Sequence, residues 1–88
     1  MHVAVTPAFL KAANKLPPER VKKVAATIKK FVAEPKIPSL DFRPLKGTSD
    51  YYVIDSTGGD RVILRKLDDQ HYEAVDCGTH DIYRRWNR

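Results

Sequence analysis

The spacing of hydrophobic residues changes period once along the chain, which separates a helical first half from a β second half. His2 to Val5 reads as a short strand, and Thr6-Pro7 supplies a side-chain cap and a first-turn proline for a helix. Phe9, Ala13 and Leu16 follow at helical spacing until Pro17 and Pro18 end one helix and open the next, because proline is tolerated in a first turn and not in an interior. In the second helix Val21, Val24, Ala25, Ile28, Phe31 and Val32 recur every three to four residues and predict one buried stripe. Lys22, Lys23, Lys29 and Lys30 lie off that stripe and read as a solvated face. The two helices are expected to form a hairpin. Pro35 and Pro38 close it, and Glu34 to Pro44 reads as a connecting loop.

Beyond Gly47 the period becomes two. Tyr51 to Asp55, Asp60 to Leu67 and His71 to Thr79 are predicted strands, joined by turns at Ser56 to Gly59 and Asp68 to Gln70. A short tail from Asp81 suits a helix. With no repeat, low-complexity tract or linker, residues 1–88 read as one α+β domain: an N-terminal strand, an α-helical hairpin, then a three-stranded antiparallel meander.

Alternation assigns faces to that meander, since a sheet covered by helices on one side buries every second residue. Val62 and Leu64 are expected under the helices with Tyr52, Ile54, Val75 and Cys77. The open face then collects Tyr51, Val53, Asp55, Arg61, Arg65, Tyr72, Asp76 and, if the strand direction persists, His80. Arg61 and Arg65 would stand about 13 Å apart at roughly 3.3 Å per residue.

Composition narrows the use of such a face. Sixteen Lys and Arg against eleven Asp and Glu give +5, an excess that draws a polyanion or an acidic partner but that equally serves solubility. No apolar run reaches the roughly 20 residues of a membrane span, so no membrane association is expected. Met1 to Thr6 lacks the basic region and apolar stretch of a secretory signal, and a cytoplasmic protein is the expectation. Cys77 stands alone, His2, His71 and His80 are not at ligand spacing, and Gly58-Gly59 is a hairpin turn with no phosphate-binding loop after it. No metal or other cofactor is expected. Asp68 and Asp69 are turn formers first.

Two arginines, a histidine and tyrosines on one face are parts suited to RNA: cations for phosphate, rings for stacking, an imidazole to move protons near neutral pH. Each also has an ordinary reading. Arg61 and Arg65 could pair with Asp55 and Asp76 across the sheet, and the tyrosines could simply pack.

Three segments carry a resemblance over essentially the full length. Pro44-Leu45-Lys46-Gly47 resembles the "L-x-G" that leads into the sheet of the RelE/ParE toxin superfamily of type II toxin-antitoxin systems. Asp60-Arg61-Val62-Ile63-Leu64 is similar to its "Y-R-(V/L)-(I/L)-Y" strand, and Gly78-Thr79-His80-Asp81-Ile82-Tyr83 to the "G-T-H-x-x-(L/I)-(F/Y)" ending of its YafQ-like branch. The resemblance implies a ribosome-dependent endoribonuclease, an mRNA interferase that cuts messenger RNA and inhibits translation. The ribosome and its messenger would be partners, together with a cognate antitoxin. It implies His80 as general acid or base, Arg61 as stabiliser of the transition state and Tyr83 as a stacking or phosphate-orienting ring, with Asp60 as a further acid. Lys46, Arg65, Arg84, Arg85 and Tyr51 would bind RNA. Two rival readings use the same fold: a ParE-like toxin that inhibits gyrase and cuts no RNA, and a non-catalytic RNA-binding module.

Overall fold

A computed structural model describes residues 1–86. Strand β1, His2–Val5, passes into helix α1, Pro7–Ala13, through Thr6, whose Oγ1 accepts from the Phe9 backbone N–H at 3.1 Å and donates to the Ala74 carbonyl at 3.0 Å. One side chain thus caps the helix and ties it to the sheet. Helix α2, Pro18–Ala33, completes the hairpin. A 3₁₀ turn at Pro38–Leu40 and a two-residue strand β2, Arg43–Pro44, occupy what the sequence reads as loop. Strands β3, Tyr51–Asp55, β4, Arg61–Asp68, and β5, His71–Gly78, form the meander, and a 3₁₀ turn at His80–Ile82 leads into a short helix α3, Tyr83–Trp86. The sheet order is β1-β5-β4-β3-β2, with β1 parallel to β5 and every other pair antiparallel.

Two cores flank the sheet. On the helix side Phe9, Ala13, Val24, Phe31 and Leu40 pack on Ile54, Val62, Leu64, Tyr72, Ala74 and Cys77. The expected stripe of α2 is rotated slightly: Ala25 is exposed and Thr27 is buried, its hydroxyl donating to the Lys23 carbonyl. The other face is not bare. Leu45, Val53, Ile63 and Ile82 are buried there beneath Tyr51, Val75, Tyr83 and Trp86. The C-terminal segment therefore covers part of the face that the sequence assigned to solvent.

Alternation holds through β3 and through β4 as far as Lys66, beyond which Leu67 falls out of step before Asp68 pairs with His71, and it breaks in β5. Ile63 pairs with Asp76 but Leu64 pairs with Ala74, so Val75 is an extra residue, a β-bulge. A one-residue slip moves side chains to the opposite face. Cys77 and Asp76 keep their expected sides. Tyr72, expected on the open face, lies in the helix-side core, its ring edge-on to Phe31 at 5.3 Å, and Val75, expected in that core, packs on the opposite side.

Candidate functional site

Where β4 begins and β5 ends, the face away from the helix hairpin carries a compact polar group. Asp55 lies opposite Arg61 across β3 and β4, while β2 places Arg43 opposite Val53, so all three side chains leave the same face. Arg43 Nη1 donates to Asp55 Oδ1 at 3.1 Å. Arg61 Nε lies 3.1 Å from the same oxygen without its N–H being aimed at it, and is the buried side-chain nitrogen left unbonded among the described residues. Arg61 Nη1 donates to the Gly59 carbonyl at 3.0 Å, at the close of a turn that Gly59 makes with φ +85°.

The C-terminal turn brings two more groups. Arg43 Nη2 donates to the Tyr83 hydroxyl at 2.7 Å, and the Tyr83 and His80 rings stand edge to face with centroids 6.2 Å apart. His80 is exposed, and with Asp81, Tyr83 and Arg84 it lines an open hollow beside the arginines. Two guanidinium groups are set against two carboxylates, Asp55 between them and the exposed Asp41 3.2 Å from Arg43, beside an imidazole and a phenol. Burial works against the Arg43 charge, but the Tyr83 oxygen and the Asp55 carboxylate outweigh it and hold its pKa above the ordinary value. Phosphate recognition and proton transfer to or from a phosphoester oxygen are the chemistry such a group can do.

No family model and no curated protein sequence matches the chain. Solved structures do. The RelB-RelE antitoxin-toxin complex from Methanococcus jannaschii matches with a TM-score of 0.72 at 15% identity, covering 97% of this chain and 99% of that one. The intact E. coli RelBE toxin-antitoxin complex gives 0.65 at 19% identity over 88% and 93%, and the YoeB dimer from Staphylococcus aureus 0.65 at 18% over 91% and 97%. The chain has the RelE-like toxin fold.

On this RelE-like frame the residues singled out in the sequence separate into groups. Arg61 is linked to Tyr83 through Asp55 and Arg43, His80 stands against Tyr83, and Arg84 lines the hollow with His80 and Tyr83. Lys46 is exposed in the turn between β2 and β3. Tyr51 is half-buried against Trp86, with ring centroids 4.9 Å apart, so it packs and presents no free stacking face. Arg65 stands mid-strand in β4, four residues on from Arg61, and pairs loosely with Glu73 at 3.6 Å. Arg85 is bonded to the buried Asp76 carboxylate at 3.0 Å, and Trp86 Nε1 reaches the same carboxylate at 2.9 Å.

Asp60 does not join the site. It is fully buried, with both carboxylate oxygens taken by Arg20 of α2, and this pair is a clamp between the hairpin turn and the helix. The Arg20 pKa is raised mainly by that hydrogen bond. Arg43 is the residue that sequence reasoning missed. A two-residue strand shows no periodicity, yet Leu45 offered a signal: counting back two from this core residue puts Arg43 on the same face.

Proposed function

We propose that this chain is a toxin of the RelE kind, an endoribonuclease acting on messenger RNA presented by the ribosome and neutralised by a cognate antitoxin in the cytoplasm. The observation that carries the reading is the linkage of Arg61, Arg43, Tyr83 and the exposed His80 at one end of the sheet. The RelE structures it resembles include complexes with RelB antitoxin, which supports the antitoxin partner.

The reaction is attack by a ribose 2′-hydroxyl on the adjacent phosphate, which breaks the P–O5′ bond and leaves a cyclic phosphate and a 5′-hydroxyl. Charge accumulates on the non-bridging oxygens as the phosphorus becomes pentacoordinate, and Arg61, with donors still unspent, is placed to receive it. His80 exchanges a proton with the attacking or leaving oxygen, which its exposure permits. Tyr83, fixed by Arg43, orients the phosphate. Lys46 and Arg84 hold the strand through phosphates, contacts that position RNA without reading its sequence. Asp55, faced by both guanidinium groups, holds the two arginines in place.

The test is purified protein in a translating extract, with messenger cleavage mapped by primer extension. Ribosome-dependent cuts within the coding region are expected, slowed roughly 10²- to 10⁴-fold by His80→Ala and roughly 10²- to 10³-fold by Arg61→Ala. Intact messenger together with blocked gyrase supercoiling would establish the ParE-like alternative in its place.

A further inference from the structure

The opposite end of the same face carries a second set of polar side chains that plays no part in this chemistry. Parallel pairing puts His2 of β1 opposite His71 of β5, although 68 other residues separate them in sequence. Their neighbours Val3 and Tyr72 turn into the helix-side core, so both imidazoles leave the other face, and both are exposed. The rings lie with centroids 5.3 Å apart and planes 18° apart.

His71 is oriented by its surroundings. Its Nδ1 lies 2.8 Å from Asp68 Oδ1 and 3.1 Å from Oδ2, and Asp68 is itself fixed by accepting from the Gln70 backbone N–H at 2.8 Å. A carboxylate can only accept, so Nδ1 carries a hydrogen and Nε2 is the nitrogen left for a metal. That is the arrangement of metal-ligating histidines: one nitrogen on the ion, the other donating to a carboxylate that fixes the tautomer and strengthens the ligand. The rings are stacked as they stand, and a turn of the His2 ring about its Cβ–Cγ bond, which leaves the ring separation nearly unchanged, lets the two nitrogens converge on one ion. With nitrogens about 2.0–2.1 Å from a metal in tetrahedral geometry, two imidazole centres sit about 5 Å apart. The His2 ring makes no hydrogen bond among the described residues and is free to turn about its Cβ–Cγ bond.

We infer that His2 and His71 form a surface site for one divalent transition-metal ion, completed by water and pre-organised by Asp68. No group of three His, Cys, Asp or Glu side chains among the described residues is placed to hold an ion, so this is an open site with two protein ligands, weaker than a structural zinc centre. Imidazole ligands and the general order of divalent affinities favour Cu²⁺ over Ni²⁺ and Zn²⁺. The ion links the edge strand β1, which pairs with β5 over only four residues, to that neighbour. Because the two ligands meet only in the folded chain, binding raises thermal stability with metal concentration.

Calorimetric titration of untagged protein with CuCl₂, NiCl₂ and ZnCl₂, beside melting curves in each metal, tests this. One Cu²⁺ per chain is expected, with a concentration-dependent rise in melting temperature that EDTA reverses. His2→Ala and His71→Ala should each abolish the rise. Asp68→Asn, at an exposed position, should weaken Cu²⁺ about tenfold. Should either histidine substitution misfold, the copper spectrum of the wild type decides, since two imidazole nitrogens on one ion leave a resolvable hyperfine pattern. Absence of saturable binding, binding that survives loss of either histidine, or a spectrum with a single nitrogen overturns the proposal.

Discussion

Asp55 stands between two guanidinium groups, and the remaining partners of each decide what that group is free to do. Arg43 donates to the Asp41 carbonyl, to Asp55 and to the Tyr83 hydroxyl. Arg61 makes one hydrogen bond, from Nη1 to Gly59, and its Nη2 donates to no group among the described residues, while its buried Nε lies against Asp55. Arg61 is therefore the group with capacity for a ligand, and Arg43 positions Tyr83. Removing Arg43 and removing the Tyr83 hydroxyl should then break the same link. In a double-mutant cycle on the cleavage rate, Arg43→Ala with Tyr83→Phe should cost little more than Arg43→Ala alone, whereas additive losses would mean that the two act independently. Cys77 gives a residue-scale prediction of another kind. Burial is the main cause pushing its thiol up to about 11. The raised value favours the neutral thiol in the fold, so its contribution to stability is complete below the unfolded thiol value of 9.0 and is lost as pH rises through about 11. At neutral pH, Ellman's reagent should leave the native protein unmodified and react once per chain in guanidinium chloride.

At the scale of elements, the clamp between α2 and the β3–β4 turn rests on a charge pair whose partners are unequally buried. Asp60 is sealed from solvent, while the Arg20 side chain remains 31% exposed. Arg20→Ala strands a buried carboxylate and should cost about 3 kcal/mol. Asp60→Ala leaves a cation that can turn to water, and the loss measured by denaturant unfolding should be smaller. Neither side chain hydrogen-bonds the arginine cluster, so cleavage per folded molecule should be unchanged; a specific loss in Asp60→Asn would restore the acid role that the resemblance implied. Why some elements were legible follows from similar local reasoning. Thr6-Pro7, Pro17-Pro18 and the change of period marked the helices and the meander, because those signals act over one turn or one hairpin. The two-residue strand that holds Arg43 is too short to show alternation. The bulge at Val75 is fixed by pairing with β4, and no residue type in His71 to Gly78 announces it. Arg61 and Asp55 could be assigned to one face because β3 and β4 remain in step across the whole of β3.

For the molecule as a whole, the two sides of the sheet are held in unequal ways. The helix hairpin covers one side with a broad core, while the other is covered near the site by a 3₁₀ turn and a four-residue helix too short to be stable by itself. That cover depends on Ile82 and Trp86 in the small second core and on the Asp76 carboxylate, which gathers the Arg85 guanidinium, the Trp86 indole and the Cys77 backbone N–H. The same few residues carry His80 and Tyr83, so the cover and the groups proposed for catalysis are one piece of chain. Loosening it should disable the site before it unfolds the protein. Asp76→Ala removes the shared acceptor but leaves Arg85, already 59% exposed, to water, so the expected cost in global stability is about 1–3 kcal/mol. Messenger cleavage should fall by a larger factor than Arg84→Ala produces. In hydrogen exchange, amides of residues 80–86 should lose protection while those of α2 keep theirs. If protection falls equally across α2 and the C-terminal segment, Asp76 supports the whole fold rather than the placement of His80 and Tyr83.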